Sequence, residues 1–265
     1  MNLGLYTQLA RIEEQHWWFR YRRRLVRDAL TNYGALSVGN NARALDVGCG
    51  TGGNLKLLSS FYPTVVGIDY SPIALKEARL KFPDAMLIQD DANRLGDIFR
   101  PQSFDLVTLF NVLYHKWIES DIEVLTQIHR ILKLGGILLI TEPAFPMLMR
   151  HHDLLDYGRK RYRKEEFRGL LKQANFNQFY MTLFNSISFI PALMLALKDR
   201  LIGTRQKLFY EQDEVRELQM PPPWLNQSIL GGMELERQAI SLFGSIPLGI
   251  TLLGVGIKGG ELNGV

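Results

Sequence analysis

Short apolar runs, each closed by a glycine-rich or polar turn, recur through the first half of the chain. They predict strands at 43–48, 64–69, 85–89, 104–110 and 136–142. Between them, apolar positions recur at helical spacing, which predicts helices at 52–60, 71–80 and 119–132. Ser71-Pro72 reads as a helix start, with a capping hydroxyl followed by proline in the first turn. Leu134-Gly135-Gly136 reads as a helix stop before the fifth strand. Alternating strands and helices of this kind build a parallel sheet with helices on both faces.

The flanks follow another pattern. Residues 7–33 predict one helix with Arg20, Arg23, Arg24 and Arg27 on one face and Trp17, Leu25 and Leu30 supplying apolar surface. A turn region follows at 32–41. After Glu142 comes a loop at 143–162, then a helix at 164–174 and a strand at 178–184. Residues 185–245 are mostly helical in pattern, broken by Pro221-Pro222-Pro223, and 249–258 reads as a last strand pairing with 178–184. The expected organisation is an N-terminal helical lid (1–42), a core (43–184), a helical insertion capping the acceptor (185–245), and a final core strand with tail (246–265).

Composition narrows the class without naming a function. The chain has 265 residues, 46% hydrophobic and 22% charged, which suits one large globular α/β unit. A net charge of +4 is far below that of a dedicated nucleic-acid binder. The single cysteine, Cys49, has no internal partner, which points to a reducing, cytoplasmic setting. The first residues lack a secretory pattern, and no apolar run reaches the ~20 residues of a membrane span.

Candidate chemistry centres on Ala44-Leu45-Asp46-Val47-Gly48-Cys49-Gly50-Thr51-Gly52-Gly53. Glycines here let the backbone approach a ligand where a Cβ would clash. The next strand ends in Asp69, where a carboxylate can accept both hydroxyls of a ribose. The glycine pattern alone does not separate a nicotinamide cofactor from S-adenosylmethionine. Asp46 before the loop, placed to hold an amino group or an ordered water, Gln89-Asp90-Asp91-Ala92 after the third strand, and the fourth strand ending in Asn111 favour the latter.

With those pieces in order, the chain resembles a class I S-adenosylmethionine-dependent methyltransferase. The resemblance rests on LDVGCGTGG (45–53), VVGIDYSPIAL (65–75), DDANRL (90–95), SFDLVTLFNVLYH (103–115) and HRILKLGGILLITEP (129–143). Two flanks, EEQHWWFRYRRR (13–24) and EPAFPMLMRHHDLLDYGRKRY (142–162), resemble uncharacterised bacterial members. Leu134 stands where family members often have proline, which bears on helix termination. The resemblance implies a Rossmann-like, seven-stranded, mostly parallel sheet with an antiparallel last strand. It also implies that Gly48, Cys49, Gly50 and Gly52 line the methionine part of the cofactor. Asp69 would hold the ribose, Tyr70 would lie against the adenine, Asp91 and Ala92 would meet its edge, and Asn111 would sit near the methionine backbone. No metal is expected.

Methyl transfer from a sulfonium is an in-line displacement, in which alignment alone can remove roughly 7–11 kcal/mol of barrier. A base is needed only for a weak nucleophile such as a hydroxyl. His115 after the fourth strand and His152 beside Asp153 are the candidate bases, although a loop histidine more often packs or caps. His129 reads as structural. Tyr114, Trp117, Trp17 and Trp18 can line the site, since aromatic faces favour a sulfonium. The basic runs Arg20–Arg27 and Arg159–Lys164 are either solvated faces or receptors for an acidic acceptor. The expected function is methyl transfer to oxygen, nitrogen or carbon of a small acceptor, hydrophobic or acidic, with peripheral membrane contact through the apolar 185–202 region. The alternatives are an RNA- or other macromolecule-directed methyltransferase and a non-catalytic cofactor-binding scaffold. Amino-methylating nucleic-acid enzymes carry an Asn-Pro-Pro-Tyr-like turn, which Val112-Leu113 replaces here, so no specific nucleic-acid partner is expected.

Overall fold

A computed structural model describes residues 3–33, 39–150, 153–154, 157–202 and 220–259. The strands are β1 (Arg43–Val47), β2 (Thr64–Asp69), β3 (Met86–Gln89), β4 (Phe104–Phe110), β5 (Leu132–Pro143), β6 (Gln178–Phe184) and β7 (Thr251–Ile257). The helices are α1 (Leu3–Ile12), α2 (Trp17–Asn32), α3 (Leu55–Ser59), α4 (Pro72–Lys81), α5 (Leu95–Ile98), α6 (Asp121–Ile131), α7 (Lys164–Gln173), α8 (Phe189–Ile202) and α9 (Pro223–Phe243). One seven-stranded sheet runs in the order β3-β2-β1-β4-β5-β7-β6. Pairing is parallel from β3 to β5, and β7 is antiparallel to both β5 and β6. The strand order reverses between β1 and β4, which opens a crevice at the carboxyl ends of those strands.

Alternate residues of the central strands go to opposite faces. Leu45, Val107, Leu109, Leu138 and Ile140 pack with Val124, Leu125, Ile128, Phe167 and Leu171 from α6 and α7. Ala44, Leu106, Phe110, Ile137 and Leu139 pack with Tyr21, Leu25, Val26 and Leu30 of α2 and with Leu230 and Met233 of α9. A sheet covered on both faces needs continuous apolar strands, and β1, β4 and β5 supply them.

Three expectations change. The single helix at 7–33 is two helices, broken at 13–16, because the His16 side chain accepts from the Trp18 N–H at 3.2 Å and caps a new helix. The helix at 52–60 shrinks to α3, since the glycine loop runs on to Asn54. The Gly135-Gly136 pair does not stop a helix: α6 ends at Ile131, and Leu132 already pairs with Phe104. Gly135, at φ 74°, sits inside β5 at a register shift and donates to the Lys258 carbonyl at 2.8 Å, so a proline at exposed position 134 is not needed to end α6.

α9 is anchored to the rest of the fold. Glu236 of α9 accepts from the Tyr21 hydroxyl at 2.6 Å and from the Asn185 N–H at 2.7 Å. Asn226 accepts from the Trp17 N–H at 2.8 Å, and Arg24 pairs with Glu234 at 3.1 Å. These contacts tie α9 to α2 over one face of the sheet.

Candidate active site

The turn after β1 is built by backbone geometry that only glycine accepts at low cost. Gly48, Gly50 and Gly52 have φ of 67°, 55° and 84°. A Cβ at Gly48 would lie 2.6 Å from the Val112 side chain. The Gly48 and Cys49 N–H groups donate to the Ile68 carbonyl at 2.8 and 3.0 Å, so the turn is clamped across the tip of β2. Cys49 is buried, and burial pushes its thiol well up, which leaves it a packing group.

Two acids flank this turn. Asp69 accepts from the Gly50 N–H through Oδ2 at 2.8 Å and from the Ser71 N–H through Oδ1 at 2.9 Å. Each oxygen keeps a second lone pair, so the carboxylate can still accept from a diol. Asp46 is 1% exposed. Its Oδ1 accepts from the Thr108 hydroxyl at 2.7 Å, while Oδ2 is buried with no partner. Burial pushes its carboxyl up to about 7, against the opposing pull of Thr108 and Arg22.

The third wall comes from β4 and β5. Asn111 leaves β4 at φ 59° and accepts from the Thr141 hydroxyl at 3.2 Å. Glu142, fully buried, accepts from the N–H groups of Val112, Leu113 and Tyr114 at 3.1, 2.8 and 3.1 Å. Next to β3, Asp91 accepts from the Asn93 N–H at 2.9 Å and so caps the short turn that begins at Ala92. Tyr70 is 72% exposed at the tip of β2. Asp46, Gly48, Cys49, Gly50, Gly52, Asp69, Tyr70, Asp91, Ala92 and Asn111 therefore all lie along one edge, at the carboxyl ends of β1 to β4.

Among known proteins, residues 45–140 match the methyltransferase-domain family. An uncharacterised methyltransferase of Synechocystis is 33% identical over 40% of this chain and 50% of its own length. Trans-aconitate 2-methyltransferase of Enterobacter is 27% identical over 48% and 49%. The chain thus spans about half the length of the curated relatives it matches. A solved S-adenosylmethionine-dependent methyltransferase from Archaeoglobus fulgidus shares the fold at TM-score 0.54, with 17% identity over 90% of this chain and 96% of that one. So does phosphoethanolamine N-methyltransferase 2 of Haemonchus contortus, solved with S-adenosyl-L-methionine, at TM-score 0.55 and 21% identity over 87% and 51%.

Over residues 45–140 the chain matches a methyltransferase domain, on a fold it shares with solved S-adenosylmethionine-dependent methyltransferases.

The matched region has features that can receive a nucleoside cofactor. The left-handed glycine turn has open space where a Cβ at Gly50 would stand, Asp69 has lone pairs for a ribose, and the unpartnered Asp46 Oδ2 suits an ammonium donor. Of the two candidate bases, His115 follows β4, with its ring 4.1 Å from Tyr114 and 6.4 Å from Trp117. His152 lies outside the described residues. Trp18 stacks on Phe184 at 5.6 Å, and Trp17 lies against its neighbour's ring at 6.1 Å, so both serve the docking of α2. His129 packs edge-on against Phe176 at 5.1 Å, in the role expected of it.

Three members of the second basic run are neutralised within the fold. Arg159 and Lys160 pair with Asp121, Lys160 also with Glu166 at 3.1 Å, and Arg161 with Asp153 at 2.7 Å. A cleft of about 810 Å³ lies between the 13–16 turn and the start of α9, and no glycine-loop residue lines it.

Three buried charged residues escaped the sequence reading. Glu13, 5% exposed, accepts from the Thr51 hydroxyl at 2.7 Å, pairs with Lys81, and crowds Gly53. Thus the N-terminal turn is pressed onto the glycine loop. Glu142 looked like the end of a strand and turns out to hold the 112–114 loop. Arg22 hides among surface arginines, although positions 18, 22, 25 and 29 form one helical stripe and the other three are apolar or aromatic.

Proposed function

We propose that the protein is an S-adenosylmethionine-dependent methyltransferase that modifies an oxygen, nitrogen or carbon nucleophile of a small molecule. The observation that carries this reading is the pair of acids on either side of one left-handed glycine turn, Asp46 with an unfilled oxygen and Asp69 with spare lone pairs. When bound, S-adenosylmethionine supplies a methyl already activated by its sulfonium. The protein's task is to hold, align and exclude water. In this reading Gly48, Cys49, Gly50 and Gly52 run along the methionine part, and Asp69 takes the ribose hydroxyls. Tyr70 covers the adenine, Asp91 and Ala92 meet its edge, and Asn111 borders the methionine backbone. His115, which follows β4, is the group placed to take a proton if the acceptor is a hydroxyl.

A small acidic acceptor is supported by the names of trans-aconitate and phosphoethanolamine among the similar enzymes. A hydrophobic or lipid-like acceptor is favoured by a different observation: Ile190, Met194, Leu197 and Leu201 form one exposed apolar stripe on α8. Among the described residues no helix is long and apolar enough to cross a membrane, so contact there would be peripheral. A cytoplasmic setting agrees with the lone buried thiol of Cys49. The 3–32 helices and the 185–245 insertion act in this reading as lid and acceptor cap.

Calorimetric titration with S-adenosylhomocysteine and with NAD tests the cofactor. Binding of the first and not the second is expected, and the reverse, or neither, removes the proposal. Radiolabelled methyl donor with fractionated cell extract tests the acceptor. Label should enter the small-molecule or lipid fraction. Label in RNA or protein would instead support a macromolecular acceptor, and cofactor binding with no labelled product would leave a scaffold.

A further inference from the structure

α8 is packed inside out. Its buried contact is the small Ala196, at 1% exposed, while Ile190, Met194, Leu197 and Leu201 all stand in solvent, Leu201 at 86%. At i, i+4, i+7 and i+11 these four make one apolar stripe along the helix. A surface helix normally turns such a stripe towards the core.

Contacts on the other side of α8 hold it this way. Asp199 pairs with Arg150 at 3.0 Å, and both side chains are mostly buried. The Arg150 N–H donates to Asp153 at 2.7 Å, and Asp153 pairs with Arg161 at 2.7 Å. Phe189 meets Phe145 edge-on at 5.4 Å, and Arg200 donates to the Met147 carbonyl at 2.9 Å. Rolling the helix to hide the stripe would break the Asp199–Arg150 pair and leave a largely buried charge uncompensated.

The charges of α8 are sorted by the same geometry. At about 100° per residue, Lys198 and Arg200 lie roughly 80° to either side of the stripe, and Asp199 lies on the far side. Both bases are exposed, so their stems can cover apolar surface while their heads stay in water. The outward face therefore has an apolar centre, cationic margins and no acid. A second copy of the chain fits it poorly. A two-fold contact sets the face against itself and brings the bases of both copies together with no acid on α8 to answer them. A bilayer with anionic headgroups answers both features, acyl chains for the stripe and phosphates for the margins.

We propose that α8 is an interfacial helix that seats the protein on an anionic membrane, with Ile190, Met194, Leu197 and Leu201 in the acyl boundary and Lys198 and Arg200 among the headgroups. This deepens the lipid-like acceptor reading above and rests on its apolar stripe, not on the cofactor. Phe145 and Met147 directly follow β5, so the seat brings the carboxyl edge of the sheet, where the glycine turn lies, towards the lipid surface.

The test is co-sedimentation of the full chain with vesicles of phosphatidylcholine alone or with about one third phosphatidylglycerol. Wild type should sediment with the anionic vesicles, less so as salt rises, and much less with the neutral ones. The double variant Met194→Ser, Leu201→Ser should bind at least about tenfold more weakly. Lys198→Gln should lose about fivefold, on anionic vesicles only. All three residues are exposed in the free protein, so the thermal midpoint and S-adenosylhomocysteine affinity should stay at wild-type values. Wild type that ignores anionic vesicles at low salt, or binds neutral and anionic ones equally, overturns the inference. Undiminished sedimentation of the serine double variant also overturns it. A wild-type dimer that this variant separates, seen by light scattering, overturns it in favour of a second copy. Failure of S-adenosylhomocysteine to bind any form would remove the cofactor reading and leave the membrane seat standing.

Discussion

Two buried carboxylates at the carboxyl ends of neighbouring strand pairs show how differently one chemical group can be used. Glu142, at the end of β5, has its oxygens filled by three backbone N–H groups. Asp46, near the end of β1, has one oxygen filled by Thr108 and the other unfilled. Both are raised by burial, Glu142 to about 8 and Asp46 to about 7. The first has both oxygens engaged by the loop that follows β4. The second retains capacity for something from outside. A filled buried acid is a structural pin, and an unfilled one keeps an oxygen available to a partner from outside the chain.

The largest effect that sharpens this contrast is on Glu142. Glu142→Ala strands three buried N–H donors and should cost about 3 kcal/mol or more of stability, read from urea unfolding. Asp46→Asn should instead lower S-adenosylhomocysteine affinity by roughly 10- to 100-fold with little loss of stability. If the two variants behaved alike, the distinction would be lost. A third expectation is in pH. Asp46 must be ionised to hold an ammonium, so affinity should tighten as pH rises through about 7, and Asp46→Asn should flatten the profile. The ligand-free protein should move the opposite way. Both folded-state values lie above the ordinary 3.8 and 4.5, so the native state binds protons more tightly. Its stability therefore falls as pH rises from that range through about 8. The smallest effect is Thr108→Val, which removes the hydroxyl that favours the ionised form. It should shift the binding midpoint upward by about one pH unit or less.

How legible these features were depends on range. The glycine turn, the acid ending β2 and the strand–helix alternation lie within a few residues of one another, and backbone sterics and period set them locally. The ordered edge from Asp46 to Asn111 was readable for that reason. Glu142 was read as an ordinary strand end because its three donors are about thirty residues away in sequence. Glu13 looked like one charge in a polar run, and its partner Thr51 is 38 residues on. The arginines of α2 looked alike because a helix pattern gives faces and not neighbours. Only the docking of α2 through Tyr21, Trp17 and Arg24 onto α9 decides that Arg22 turns inward. The same docking stacks Trp18 on Phe184 and sets Trp17 edge-on to Trp18.

The chain alone determined the alternating α/β order, the glycine turn and the two acids beside it, because each follows from local φ preferences and apolar period. Tertiary structure decided which of the buried charges are satisfied and which are not. That depends on donors and acceptors brought together from distant segments, and in a low-dielectric interior each polar atom left without a partner is costly.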